Sequence, residues 1–418
     1  MTFRTSRRLL APVIAGAVAG AVAAAGLILP NRMRQADAGP DESRARNVIL
    51  INGDGMAAAQ REAARLHLVG LDGQLTMDEL PVSGQLTTSP NDPKTPVTDS
   101  AAAATAWATG ERTYNGAISV DVDGNPLPTL GARAKAAGRA TGLVTTAQVT
   151  DASPAAFFAN TANRSDQDEI ARQYLEVTRP DVILGGGEDW WLPAGVAGAY
   201  PDRPAEDRAE ASRGTKGDLI TEAEARGYQY VSTADQLQAA KGGRLLGLFA
   251  NEELFQPRRE GAGGRYDPPA SLATMTAKAL SALSTNSRGF FLLVEEEGID
   301  GFAHVNDGVG MLQALGELDR AVAVARDYAA THPDTLVVVT GDHECGGLTI
   351  EDTGTADESG EGPFPIKGSS LTFTLDWTTS GHTGVDVPVT AYGPLAERFT
   401  GKHPNTHVHD VLARILTR

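Results

Sequence analysis

The chain has 418 residues, enough for one large domain or two ordinary ones, and 41% of them are hydrophobic, so a sizeable core can form. A net charge of −17 speaks against a nucleic acid as a specific partner, since such binders carry the opposite sign. The single cysteine, Cys345, excludes an intramolecular disulfide, so stability must come from a core and from metals.

Along the chain, Arg4, Arg7 and Arg8 precede an apolar run from Leu9 to Leu29. Ala36-Asp37-Ala38 then offers small residues at the spacing a signal peptidase reads. Residues 1–38 read as an export signal, of the general secretory or the twin-arginine type, and predict a secreted, periplasmic or cell-surface protein. The run is just long enough to span a bilayer, so membrane contact is expected only if it stays uncleaved as an anchor. Residues 39–46 read as a short tail, and 47–418 as one domain.

Short apolar runs predict strands at Asn47–Asn52, Ala140–Thr146, Asp181–Leu184, Arg244–Phe249, Phe290–Val294 and Leu336–Thr340. Helical patterns fall at Ser100–Thr109, closed by Gly110, and at Ser271–Leu283, Gly310–Ala329 and His407–Leu416. Strands separated by helices predict an α/β fold, a three-layer α/β/α sandwich around a mostly parallel sheet. Stretches rich in Gly, Pro and charge near 187–217 and 351–368 read as inserts beyond the sheet.

In such a sheet, ligands bind outside the carboxyl ends of the strands. Asp54 follows the first strand; Asp151 and Ser153 follow the second. Glu295, Asp300 and His304 follow Phe290–Val294, and Asp342 and His343 follow Leu336–Thr340. One Asp after a strand is ordinarily a turn former or cap. Four such sets on one sheet edge would crowd carboxylates and imidazoles together, which cations relieve. Carboxylate with imidazole suits zinc; carboxylate with hydroxyl suits magnesium. Asp300 and His304, spaced i, i+4, share a face if that turn is helical. Asp342 and His343 can reach one ion only from an irregular loop.

Ser100 opens the alanine-rich helix. It reads either as a plain N-cap or as a nucleophile at a helix end that favours phosphate charge. No His lies near it in sequence, so a nucleophilic Ser100 needs a metal to lower its pKa.

Taken together, five segments resemble the alkaline phosphatase family: Asn52-Gly53-Asp54-Gly55-Met56; Val97–Gly116; Val294-Glu295 with Ile299-Asp300 and His304; Thr340–Leu348; and Gly381-His382-Thr383. The resemblance runs in family order from about residue 47 to the C-terminus. It implies hydrolysis of phosphate monoesters to alcohol and inorganic phosphate through a phosphoserine at Ser100, with two zinc ions and one magnesium per chain. Asp300, His304 and His382 match ligands of the first zinc; Asp54, Asp342 and His343 match those of the second. Asp54, Ser153 and Glu295 match the magnesium ligands, with Asp54 bridging. Arg164 matches the arginine that grips phosphate, and Asp151 a residue behind the magnesium. Dimers are common in that family, so a homodimer is among the states the resemblance allows.

Three positions depart from the family. Ser153 stands where threonine is common. Gly301 replaces a basic or aromatic residue near the phosphate. Cys345 replaces threonine and reads as a buried, inert thiol. A sulfatase would need Pro and Arg after its nucleophile, where Ser100 has alanines. A non-catalytic phosphate- or metal-binding protein would not need an intact nucleophile with a full ligand set.

Overall fold

Runs of Val, Ile, Leu and Phe too apolar for a water-facing surface form the middle of a ten-stranded sheet. In spatial order its strands are Gly401–Pro404, Val82–Thr87, Val387–Tyr392, Thr335–Thr340, Asn47–Gly53, Phe290–Glu296, Ala140–Gln148, Val182–Gly186, Leu245–Leu248 and Gln229–Val231. Only Val387–Tyr392 runs against the others. This computed structural model describes residues 45–203, 210–257, 264–354 and 360–418, all within the compact unit Pro40–Arg418. The expected export signal, residues 1–38, and residues 39–44 of the tail lie outside the described residues.

Because strand side chains alternate between faces, each central strand feeds two cores. Val48 and Leu50, Phe291 and Leu293, and Leu336 and Val338 face one side. There they meet the helices Ser100–Thr109, Ala152–Phe158 and His407–Leu416. Ile49 and Ile51, Leu292 and Val294, and Val337 and Val339 face the other, against Ala58–Leu68, Leu272–Leu283 and Gly308–Thr331. The result is the expected α/β/α layering.

The chemistry-bearing helix Ser100–Thr109 is buried over nearly its whole length. Its alanines let it lie close to Ala152–Phe158 and His407–Leu416. Gly110 ends it with φ 82°, where a side chain would meet the ring of His409 at 2.6 Å.

Outside the main sheet, Leu348–Asp352, Glu361–Pro365 and Thr372–Trp377 pair as a small antiparallel sheet. The stretch 351–368, read from sequence as an insert beyond the sheet, thus supplies strands to this second layer. Between Gly186 and the helix Leu219–Ala225 the chain makes one short 3₁₀ turn at Glu188–Trp190 and is otherwise irregular among the described residues.

Candidate active site and metal centre

Strand ends gather the predicted residues. Asp54 follows Asn47–Gly53, Glu295 sits in the last turn of the pleat of Phe290–Glu296, and Asp342 and His343 follow Thr335–Thr340. Asp300 and His304 lie on the helix Gly298–His304, on one face as their spacing requires, with His304 Nε2 3.0 Å from Asp300 Oδ2. The short pairing of Cys345 with His382 brings the last histidine in, its Nε2 3.4 Å from Asp300 Oδ1 and 3.1 Å from His304 Nε2.

Ser100 is not the helix cap. Asp99 takes that role, accepting the Ala102 N–H at 2.9 Å, and its other oxygen accepts the Gly116 N–H. The Ser100 hydroxyl is therefore free of capping, and it lies 3.2 Å from His343 Nε2. The fold thus brings a histidine that sequence separation hid. It is not placed as a general base, though. The same Nε2 lies 3.1 Å from Asp342 Oδ2 and 3.5 Å from Asp54 Oδ1, while Nδ1 has no hydrogen-bond partner. A base needs its far nitrogen held by an orienting acceptor. One nitrogen, two carboxylate oxygens and a hydroxyl converging on a point form instead a four-donor cage for a cation.

Two donor groups are thus set side by side: Asp54, Asp342 and His343; and Asp300, His304, His382 and Cys345. Cys345 is buried as expected, yet its sulfur falls among the second set. Burial, then the nearby Asp300 carboxylate, push its thiol well above the ordinary range. Asp54 connects this pair of groups to a third, because its Oδ2 lies 3.4 Å from Ser153 Oγ. Asn52 donates toward both Ser153 Oγ, at 3.4 Å, and Glu295 Oε1, at 3.3 Å. Thr145 donates to Glu295 Oε2 at 2.6 Å. Asn52, Thr145 and Asp99 were not singled out from sequence. Only Asp99 carried a signal, as an N-cap type directly before a helical run.

The electrostatics call for positive charge. Asp54 Oδ1, Asp300 Oδ1, Asp342 Oδ2 and His343 Nδ1 are buried without hydrogen-bond partners among the described residues. Burial, then repulsion from Asp342, Asp300 and Glu295, push Asp54 well above the carboxylate range. Burial likewise lifts Glu295 and Asp342 to about 7. Burial opposes the ionisation of Asp300, but the adjacent imidazoles of His304 and His382 outweigh it and hold this carboxyl well below its usual range. The bond to Asp300 raises His304 to about 9. Orphaned oxygens and imidazoles facing one another are what bound cations would satisfy, so the residues present fit such ions.

Arg164 Nη2 holds Asp151 Oδ1 at 2.9 Å and Nη1 reaches Asp99 Oδ2 at 3.3 Å. Two carboxylates thereby fix the guanidinium beside the residue that precedes Ser100. Arg164→Ala should raise the inhibition constant for inorganic phosphate by roughly tenfold or more, since a charged bidentate contact is worth about 1.5–3 kcal/mol. Metal content should not change. Loss of metal in that variant, measured by elemental analysis, would make Arg164 a structural residue instead.

At Gly301, where the family carries a larger side chain, the ring of Phe255 fills the space. A Cβ there would meet Phe255 at 2.6 Å. Phe255 packs in turn on Tyr266 and Phe302. Trp191 is buried in a core, whereas Trp190 is half-buried and donates to Gln148 Oε1 at 2.5 Å. His403 and His407 stack at 3.9 Å, and neither belongs to a three-residue donor cluster among the described residues.

A family model described as alkaline phosphatase matches residues 45–365 and 366–418. Over 426 residues the chain is 38% identical to streptomycin-6-phosphate phosphatase of Streptomyces griseus, covering 89% of this chain and 90% of that protein. It is 32% identical to alkaline phosphatase 4 of Bacillus subtilis, over 99% and 98% of the two chains. Among solved structures, a cold-active alkaline phosphatase from the psychrophile Shewanella sp. is similar with a TM-score of 0.74 and 32% identity, covering 89% of this chain and all of that one.

Proposed function

This chain belongs to the alkaline phosphatase family, and from that premise we propose that it hydrolyses phosphate monoesters in two steps, through a phosphoryl group carried on Ser100. The chain is a phosphatase of a metal-dependent family with candidate metal sites of its own. The phosphoserine route rests on the convergence of Ser100 Oγ with His343 Nε2, Asp342 and Asp54.

Asp300, His304 and His382 would hold a first zinc, Asp54, Asp342 and His343 a second, and Asp54, Ser153 and Glu295 a magnesium. When bound, these ions activate the serine hydroxyl, stabilise the departing oxygen and offset the buried carboxylates. The chain's own residues do the rest. Asp99 takes over the capping duty and leaves the Ser100 oxygen for attack on phosphorus. The amide groups opening the helix Ser100–Thr109 favour the negative phosphate. Arg164 gives two parallel donors to phosphate oxygens, held in place by Asp99 and Asp151. Phosphoryl transfer depends mainly on such positioning and charge stabilisation.

Export is part of the same proposal, resting on the leader read from residues 1–38. No helix among the described residues is long and apolar enough to cross a membrane.

The test is activity on an aryl phosphate monoester and the matching diester side by side. Turnover of the monoester should dominate; equal or greater turnover of the diester would replace this reading with a phosphodiesterase. One observation favours a narrower substrate class. The similarity to a phosphatase named for streptomycin 6-phosphate, in a chain of net charge −17, supports a cationic, polyhydroxylated alcohol as the leaving group. Including streptomycin 6-phosphate in the comparison decides it: kcat/KM should exceed that for the aryl phosphate and fall with added salt.

A further inference from the structure

Far along the chain from Ser100, the stretch 187–217 contains a second group of acids, two buried and one half-buried. Asp189, Asp202 and Glu210 each bring a carboxylate oxygen within 4.8 Å of the others. Asp189 and Glu210 are only 1% and 4% exposed. Among the described residues, neither oxygen of Glu210 has a hydrogen-bond donor, and Asp189 Oδ1 has none. Glu188, in the same stretch, shows the contrast. It accepts from the backbone N–H groups of Ala199 and Tyr200, both at 3.0 Å, and from the Tyr230 hydroxyl at 2.5 Å. A buried carboxylate left without donors is costly, and Glu188 is supplied with donors here while Glu210 and one oxygen of Asp189 are not.

We propose that Asp189, Asp202 and Glu210 form a calcium site that clamps this stretch of chain. The donors are all carboxylate oxygens, which suits a hard cation rather than zinc. Calcium accepts such oxygens in flexible geometry and fills its remaining positions with water, whereas magnesium demands a near-ideal octahedron. Among the described residues, the cation facing Asp189 makes a long contact. Arg213 Nη2 reaches Asp189 Oδ2 only at 3.4 Å, and it is shared with Glu252 at 2.8 Å.

The backbone is arranged to present the three groups. Asp189 sits on the 3₁₀ turn directly after the strand Val182–Gly186, and its carbonyl accepts the Arg213 N–H at 3.0 Å. Asp202 Oδ1 is held by the N–H and hydroxyl of Ser212, at 3.3 and 3.4 Å. The Arg203 N–H donates to the Glu210 carbonyl at 2.9 Å, which brings the two ends of residues 202–210 together. Burial and the adjacent Glu210 carboxylate push Asp189 up to about 8, as expected of negative charge lacking a counterion. With one cysteine in the chain, no disulfide can staple this irregular stretch, and an ion performs the same office.

The test uses the full enzyme loaded with its catalytic metals. Calcium at about a hundredfold its Kd should raise Tm by roughly 2–5 °C. Terbium bound at the site should luminesce on tryptophan excitation, with Trp190 and Trp191 next to Asp189 as antennae, and calcium should quench the signal by displacement. Glu210→Gln should abolish both responses. Asp202→Asn, a half-buried position, gives the same readout if the first variant fails to fold. No calcium shift in the parent protein, or an undiminished shift and luminescence in the variants, would overturn the proposal. The acids would then share a proton instead.

Discussion

Ser100→Ala should lower kcat on an aryl phosphate by at least ~10³, the scale on which removal of a nucleophile is felt. The argument rests on what Ser100 is spared from doing. At the first position of an ordinary helix a serine oxygen satisfies backbone donors, but here Asp99 does so at 2.9 Å. Ser100 is 6% exposed and its oxygen faces His343 Nε2 rather than its own helix. Alanine costs nothing in helix propensity, so the variant should fold and keep its Tm within about a degree. The guanidinium of Arg164 and the helix end remain, so phosphate should still bind. A capping or packing serine would give the reverse pattern, a lower Tm with turnover retained. Steady-state kinetics and a melting curve on one preparation separate the two.

Stripping the metals with a chelator should bring activity to background, and zinc with magnesium should restore it. The stability of the stripped protein should also acquire a particular pH dependence. In the absence of ions, burial and mutual repulsion raise Asp54 well above the carboxylate range and bring Glu295 and Asp342 to about 7. A carboxyl whose pKa is higher in the folded than in the unfolded chain favours folding while it is protonated. That contribution is complete below the ordinary carboxyl range near 4 and is lost as pH climbs through about 7. Tm of the stripped protein should therefore fall between pH 5 and 8. The loaded protein should not follow it, because bound cations hold the same groups as anions at no repulsive cost. Full activity in metal-free protein, or parallel Tm curves for the two forms, would contradict the metal centre.

Much of the fold was legible because the central strands carry their burial in composition. Phe290–Glu296 and Thr335–Thr340 are buried on both faces, so their sequences are nearly continuous apolar runs. The edges were not legible for the same reason. Val82–Thr87 is half polar, Gly401–Pro404 ends in proline, and Gln229–Val231 has three residues. Their pairing is set by neighbours rather than by local pattern. Gly84 illustrates this: a Cβ there would lie 1.9 Å from the Phe399 carbonyl, a contact made by residues more than three hundred positions away.

The candidate site divides in the same way. Asp54, Asp342 and His343 could be singled out because topology places whatever follows a strand at the sheet edge. The spacing of Asp300 and His304 foretold their shared face. What sequence could not reveal were relations made by the tertiary fold alone. Asn52 reaching Ser153 and Glu295, His343 reaching Ser100 across 243 positions, and Phe255 filling the space above Gly301 are all of this kind. Ser100 in sequence fits a cap and a nucleophile alike; in the fold Asp99 takes the cap.

The most direct measurement is an acid quench during turnover of a saturating monoester by the metal-loaded enzyme, followed by peptide mass analysis. The account predicts one phosphoryl group on the peptide containing Ser100, and none on that peptide in Ser100→Ala. A phosphoryl group on another residue, with turnover of Ser100→Ala unimpaired, would contradict it.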